Sequence, residues 1–114
     1  MNKTDVIKLV EDFEAEVNNG GFDQFFFNST GNNAENTGNA LKKIGALRTA
    51  RLFHEACDRF PDGKPPIDCA SRRKLMLETV SPKSDEFNYL DEQFYKYEDD
   101  IGLLLEKFKS NNER

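Results

Sequence analysis

Residues 87–108 read FNYLDEQFYKYEDDIGLLLEKF, and their apolar spacing decides the fold class. Phe87, Leu90, Phe94, Tyr97, Ile101, Leu104 and Phe108 step by three and four alternately, an apolar seam about three heptads long. The spacing predicts one long C-terminal helix, bent near Asp99. In that register Asp85, Glu92, Asp99 and Glu106 share a heptad position opposite the seam, with Asp91 and Glu98 beside them, so a column of carboxylates is expected to face outward.

The rest of the chain carries the same helical period. Val6, Val10, Phe13 and Val17 step by four, three and four on a first helix, which Asn18-Asn19-Gly20-Gly21 ends by allowing a left-handed turn. A short helix from about Phe22 to Asn28 follows, with Phe22, Phe25 and Phe26 as core anchors. Residues 28–39 read as a loop or loose lead-in. Helices around Leu41–Ile44 and from about Leu47 to Phe60, separated by Gly45, form an expected αα-hairpin. Pro61-Asp62-Gly63-Lys64-Pro65-Pro66 breaks the chain, Asp68 is the expected N-cap of the next helix, and Ser81-Pro82 ends it. Val and Ile are scarce and no stretch sustains period-two alternation. The expectation is an all-α domain spanning 1–114, a compact bundle of about five to seven helices with a long C-terminal helical segment.

Composition bounds the function classes. The chain has 114 residues and a net charge of −5, from 21 acidic and 16 basic residues. That balance disfavours direct nucleic-acid binding, which needs clustered cations to displace counterions. No stretch approaches the roughly 20 apolar residues of a membrane span, and Met1–Asp12 lacks a secretory apolar run, so a cytoplasmic protein without a membrane role is expected. Cys57 and Cys69 are then expected to be reduced.

Residues that could carry chemistry have plainer explanations. His54, Cys57 and Cys69 fall short of a zinc set in number and spacing, and a Cys57–His54 nucleophile pair would place the thiol on an apolar stripe, where burial suppresses the thiolate. Arg72-Arg73-Lys74 reads as a solvated basic face. Asp91-Glu92 and Asp99-Asp100 lack the glycine-turn loop of a calcium site. The expectation is a non-enzymatic protein with no metal and no cofactor.

The acidic segment remains. Between Asp85 and Asp100 stand seven carboxylates (Asp85, Glu86, Asp91, Glu92, Glu98, Asp99, Asp100) against Lys96 alone, a local net of −6. Acids seven residues apart on a helix recur every ~10.5 Å, about three base-pair steps, so a column of them could imitate a phosphate row. A solvated helix face explains the charge equally simply, and on charge alone it is the stronger reading.

Three stretches tip that balance: Glu16-Val17-Asn18-Asn19-Gly20-Gly21-Phe22-Asp23-Gln24-Phe25-Phe26-Phe27-Asn28, Ile44-Gly45-Ala46, and Phe60-Pro61-Asp62-Gly63-Lys64-Pro65-Pro66, with Leu90-Asp91-Glu92-Gln93-Phe94-Tyr95 behind them. With these, residues 13–108 resemble the bacterial DNA mimic protein 19 family. The resemblance implies an all-helical protein that presents an acidic surface copying duplex DNA and occupies the DNA-binding face of a transcription regulator. Its implied partner is a basic DNA-binding protein or another protein, and a homodimer is among the arrangements it allows. An apolar binding module of the toxin-neutralising kind is the alternative, and the Asn18–Phe22 motif itself, with Phe25 and Phe26, reads as architecture.

Overall fold

The computed structural model describes residues 1–80 and 85–111, with Val80, Asp85 and Glu86 described by backbone alone. Helix α1 spans Lys3–Phe27. Asn2 caps it, accepting from the Asp5 amide at 2.8 Å, and Val6, Val10, Phe13 and Val17 form its buried stripe. Gly20 and Gly21 leave helical geometry (φ −151°, ψ 20° and φ 76°, ψ −177°), so α1 consists of two arms that meet at an angle. The second arm, starting at Phe22, turns Phe22, Phe25 and Phe26 into the core. The expected glycine break is therefore present.

A 3₁₀ turn at Ser29–Asn33 leads into α2 (Ala34–Lys43), and α3 covers Leu47–Cys57. Between α2 and α3, Ala46 N–H donates to Leu41 O at 2.9 Å and Gly45 N–H to Lys42 O at 3.0 Å, a Schellman closure with Gly45 at φ 89°. After the proline-rich loop comes α4 (Cys69–Leu75), capped as expected by Asp68, which accepts from the Ser71 amide at 2.9 Å. It runs on as a π-helical turn over Met76–Val80. The expected helix end at Ser81-Pro82 lies outside the described residues.

The long C-terminal helix is not formed. Helix α5 (Asp85–Tyr95) and α6 (Ile101–Ser110) are separate. Tyr97 at φ 49° closes the first, its amide bonding Phe94 O at 2.9 Å, and the Asp100 carboxylate caps the second by accepting from Leu103 N–H at 3.1 Å. Apolar periodicity carries no information about such caps, which is why the seam reads through the break. Phe87, Leu90, Phe94 and Ile101 are buried, but the core position on α6 then passes to Leu105, leaving Leu104 and Phe108 at its edge. Among the described residues the fold is all-α, with six α-helices, and none of the helices is long and apolar enough to cross a membrane.

Phe13 sits at the centre of the core, its ring 6.0 Å from Phe22, 5.6 Å from Phe25, 5.5 Å from Phe53 and 5.6 Å from Phe94. Three of these four contacts are edge-to-face, the arrangement in which a positive ring edge meets a negative ring face.

The basic run departs from expectation. Arg72 is wholly buried, while Arg73 and Lys74 are exposed. The Arg72 guanidinium donates to Phe26 O (2.6 Å), Asn28 O (2.9 Å), Pro66 O (2.8 Å), Ile67 O (3.1 Å) and Asn32 Oδ1 (2.9 Å). It thus sits on the carbonyl end of α1, where the helix dipole is negative, and ties that end to the proline-rich loop. A Cβ on Gly31 would stand 2.6 Å from Arg72 Nε and 2.8 Å from Phe26 O, so only glycine lets the backbone pass so close. Arg73 donates to Phe27 O at 2.7 Å and lies 4.7 Å over the Phe27 ring. Replacing Arg72 by Met strands four carbonyl oxygens and one amide oxygen. Urea denaturation is expected to show a loss on the order of 3 kcal/mol, against less than about 0.5 kcal/mol for Lys74→Met.

Candidate functional site

The candidate surface begins with Asp91, on the face of α5 that packs against the break in α1. The non-helical dihedrals at Gly20 and Gly21 interrupt the backbone ladder. Asp91 Oδ1 accepts from Phe22 N–H at 2.8 Å, at the start of the second arm, while one turn further on Tyr95 Oη donates to Val17 O at 2.8 Å, at the end of the first. One residue thus supplies an acceptor and the other a donor across the interruption. Gly21 lies against the Asp91 carboxylate so closely that a Cβ would overlap it, and its positive φ independently favours glycine.

Asp99 plays a comparable part elsewhere. Its Oδ2 accepts from Thr49 N–H at 2.7 Å and Thr49 Oγ1 at 2.9 Å. Thr49 is the third residue of α3, and the N-cap position there is Ala46, which has no side-chain acceptor. The capping group for α3 therefore comes from 50 residues away. Asp91, Asp99 and Asp100 all accept from backbone amides at helix starts, where the dipole favours negative charge.

The outward column is accordingly revised. With α5 and α6 separated, residues 85, 92, 99 and 106 share no helix face, and Asp91 and Asp99 turn toward backbone. Glu92, Glu98 and Asp100 are exposed. Glu98 stands 3.9 Å from Arg48, with both side chains more than half exposed, so that pair contributes little. The side chains of Asp85 and Glu86 lie outside the described residues.

Sequence reasoning also missed a neighbour. Tyr97 Oη donates to Glu14 Oε2 at 2.8 Å and accepts from Asn18 Nδ2 at 2.8 Å, which brings an α1 carboxylate beside the residue preceding Glu98. Burial first, and then Glu14, pushes the Tyr97 phenol up to about 12 despite the opposing Asn18 bond. No local charge count reveals such a pairing, since the two residues are 83 positions apart. Of the motif residues, Asn19 is exposed, and Asn18 bonds Tyr97. Gln24 and Asn28 donate to Glu16 at 2.9 and 2.8 Å, binding the two arms of α1 together.

Burial pushes the Cys57 thiol up to about 12, with Asp58 adding to the shift, and His54 is exposed, 3.7 Å from Asp58. Among the described residues no group of three His, Cys, Asp or Glu side chains is placed to hold a metal ion.

A family model described as DMP19-like protein matches residues 4–112, the family that the asparagine–glycine and QFF stretches resemble. Neither a curated protein nor a solved structure matches the chain.

The capping roles separate the acids by stability. Asp91→Ala and Asp99→Ala are each expected to lose about 1–2 kcal/mol in urea denaturation, and Glu92→Ala less than about 0.5 kcal/mol. Burial raises the Asp91 pKa from its ordinary value, against the Phe22 amide, with Asp23 adding to the rise. Between the unfolded and folded values the native state then holds more protons, so this residue's contribution to stability falls as pH rises through that window. Asp91→Asn keeps an acceptor for Phe22 without the charge. Its stability relative to the parent is expected to increase from about pH 4 upward and level off once Asp91 is ionised.

Proposed function

The chain belongs to the DMP19-like family, and from that premise we propose that it is a non-enzymatic interaction protein whose exposed carboxylates occupy the DNA-binding face of a basic DNA-binding protein. The observation that carries this reading is the division of labour within the acidic segment. Asp91, Asp99 and Asp100 bond backbone amides, while Glu92 and Glu98 stand exposed beside them on the same anchored segment. Acids held on anchored backbone lose less freedom on binding than acids on a loose tail, and so present charge at a lower entropic cost. Asp85 and Glu86 belong to the same acidic segment of the sequence.

A second reading, an apolar binding module of the toxin-neutralising kind, draws on Leu47 and Leu103. These lie in the first turns of α3 and α6, 60 % and 49 % exposed. The bonds from Asp99 to Thr49 hold the α5–α6 connection against the start of α3.

The two readings part in a capture experiment from host lysate at low salt, using the full chain as bait. The DNA-mimic reading predicts a DNA-binding protein that elutes at moderate salt, is displaced by added duplex DNA, and binds the Glu92→Lys/Glu98→Lys variant at least about ten-fold more weakly. A partner that resists salt and duplex DNA, keeps its affinity for that variant and is lost with Leu47→Ser/Leu103→Ser contradicts it and favours the apolar module.

A further inference from the structure

Asn32, Asn36, Asn39 and Lys42 follow one another at spacings of four, three and three, a stripe along the 3₁₀ turn and α2. All four line one side of an open groove of about 670 Å³, whose other side includes Phe53 of α3 and Lys64 and Ile67 of the proline-rich loop. The groove differs from the rest of the molecule in charge. Lys42 and Lys64 line it against Glu35 alone among the acids, in a chain of net charge −5.

The amide stripe has the chemistry of a main-chain reader. Asn36 and Asn39 each carry a side-chain donor and acceptor, the complement of a peptide unit, and Asn32 adds an amide donor. Asn32 is held in place, because its Oδ1 accepts from Arg72, which is itself wholly buried, so its amide nitrogen is the group it has to offer. From Asn36 to Lys42 the helix rises ~9 Å, the length of about three residues of extended chain. Ile67, 77 % exposed at the rim, adds an apolar contact to this polar track.

We propose that this groove binds an extended acidic segment of a partner protein, with Asn32, Asn36 and Asn39 pairing to its main chain, Lys42 and Lys64 to its carboxylates, and one of its apolar side chains resting on Ile67. A linear, open track fits an extended chain better than a compact small molecule. A nucleic acid carries its charge well beyond the groove, where it meets a protein of net charge −5, whereas a short acidic segment keeps its carboxylates beside Lys42 and Lys64. This site uses none of the carboxylates of the proposed DNA-mimic surface and takes ligands of the opposite sign, so either proposal can fail without the other.

The test is a heteronuclear NMR titration of the full, ¹⁵N-labelled chain with a blocked heptapeptide of alternating glutamate and leucine. The same peptide with lysine for glutamate, and free glutamate, serve as comparisons. The expected result is saturable shifts of the Asn32, Asn36 and Asn39 side-chain amides with the acidic peptide alone. Lys42→Glu/Lys64→Glu is expected to weaken binding about ten-fold or more through like-charge repulsion. Asn36→Ala/Asn39→Ala is expected to weaken it while leaving its salt dependence unchanged, and Glu92→Lys to leave affinity unchanged. Thermal melts matching the parent establish that these exposed substitutions leave the fold intact. Absence of shifts in the groove, equal binding of the lysine peptide, or the same shifts with free glutamate would overturn the proposal.

Discussion

The break in α1 at Gly20–Gly21 is the constraint on which the rest of the structure depends. Phe13 and Phe22 are nine residues apart, ~13.5 Å along the axis of a straight helix, yet their rings lie 6.0 Å apart. Phe13 and Phe25 would be ~18 Å apart on the same axis and meet at 5.6 Å. Only a helix that turns between them brings both arms onto one aromatic centre, and Phe53 and Phe94 then close around Phe13 from α3 and α5. The break interrupts backbone hydrogen bonding inside the molecule, and Asp91 and Tyr95 supply partners on its two sides. Arg72 does the same for the far end of the second arm.

These anchors explain why an acidic segment is not simply an acidic surface. A side-chain carboxyl beside unpaired N–H groups at a helix start satisfies donors that the helix leaves without partners, and at Asp91 that acceptor matters more than the charge, since burial outweighs the Phe22 amide and disfavours the ionised form. Asp91 and Asp99 fill that role for helices remote in sequence, and Asp100 for its own. The charge left outward is therefore smaller than the local net of −6 suggests, but it is carried on elements pinned to the core. Glu14, reached through Tyr97, returns one acid from α1 to the same region.

Local features of the sequence were readable because local physics sets them. The valine–phenylalanine stripe, the asparagine–glycine break, the Gly45 closure and the Asp68 cap each depend on residues within a turn or two of one another. The C-terminal stretch reads as one helix because Leu104 and Phe108 continue the period of Phe87–Phe94 across a break made by Tyr97 and Asp100, and periodicity is blind to backbone conformation. Partnerships at a distance left no such trace. Nothing near Ala46 shows that α3 borrows its cap from Asp99, and nothing in Arg72-Arg73-Lys74 tells which of three cations is buried. The Asp91–Phe22 bond spans 69 residues and becomes visible only when α5 is packed on α1.

The Asp91–Phe22 bond is what joins α5 to the break in α1. An NMR pH titration that follows the Asp91 side-chain carboxyl and the Phe22 amide proton together tests it. The prediction is that the Phe22 amide moves with Asp91 ionisation, at a common midpoint above the ordinary aspartate value of about 3.9. A Phe22 amide that stays still while Asp91 titrates at the ordinary value would place that carboxylate in solvent and contradict the account.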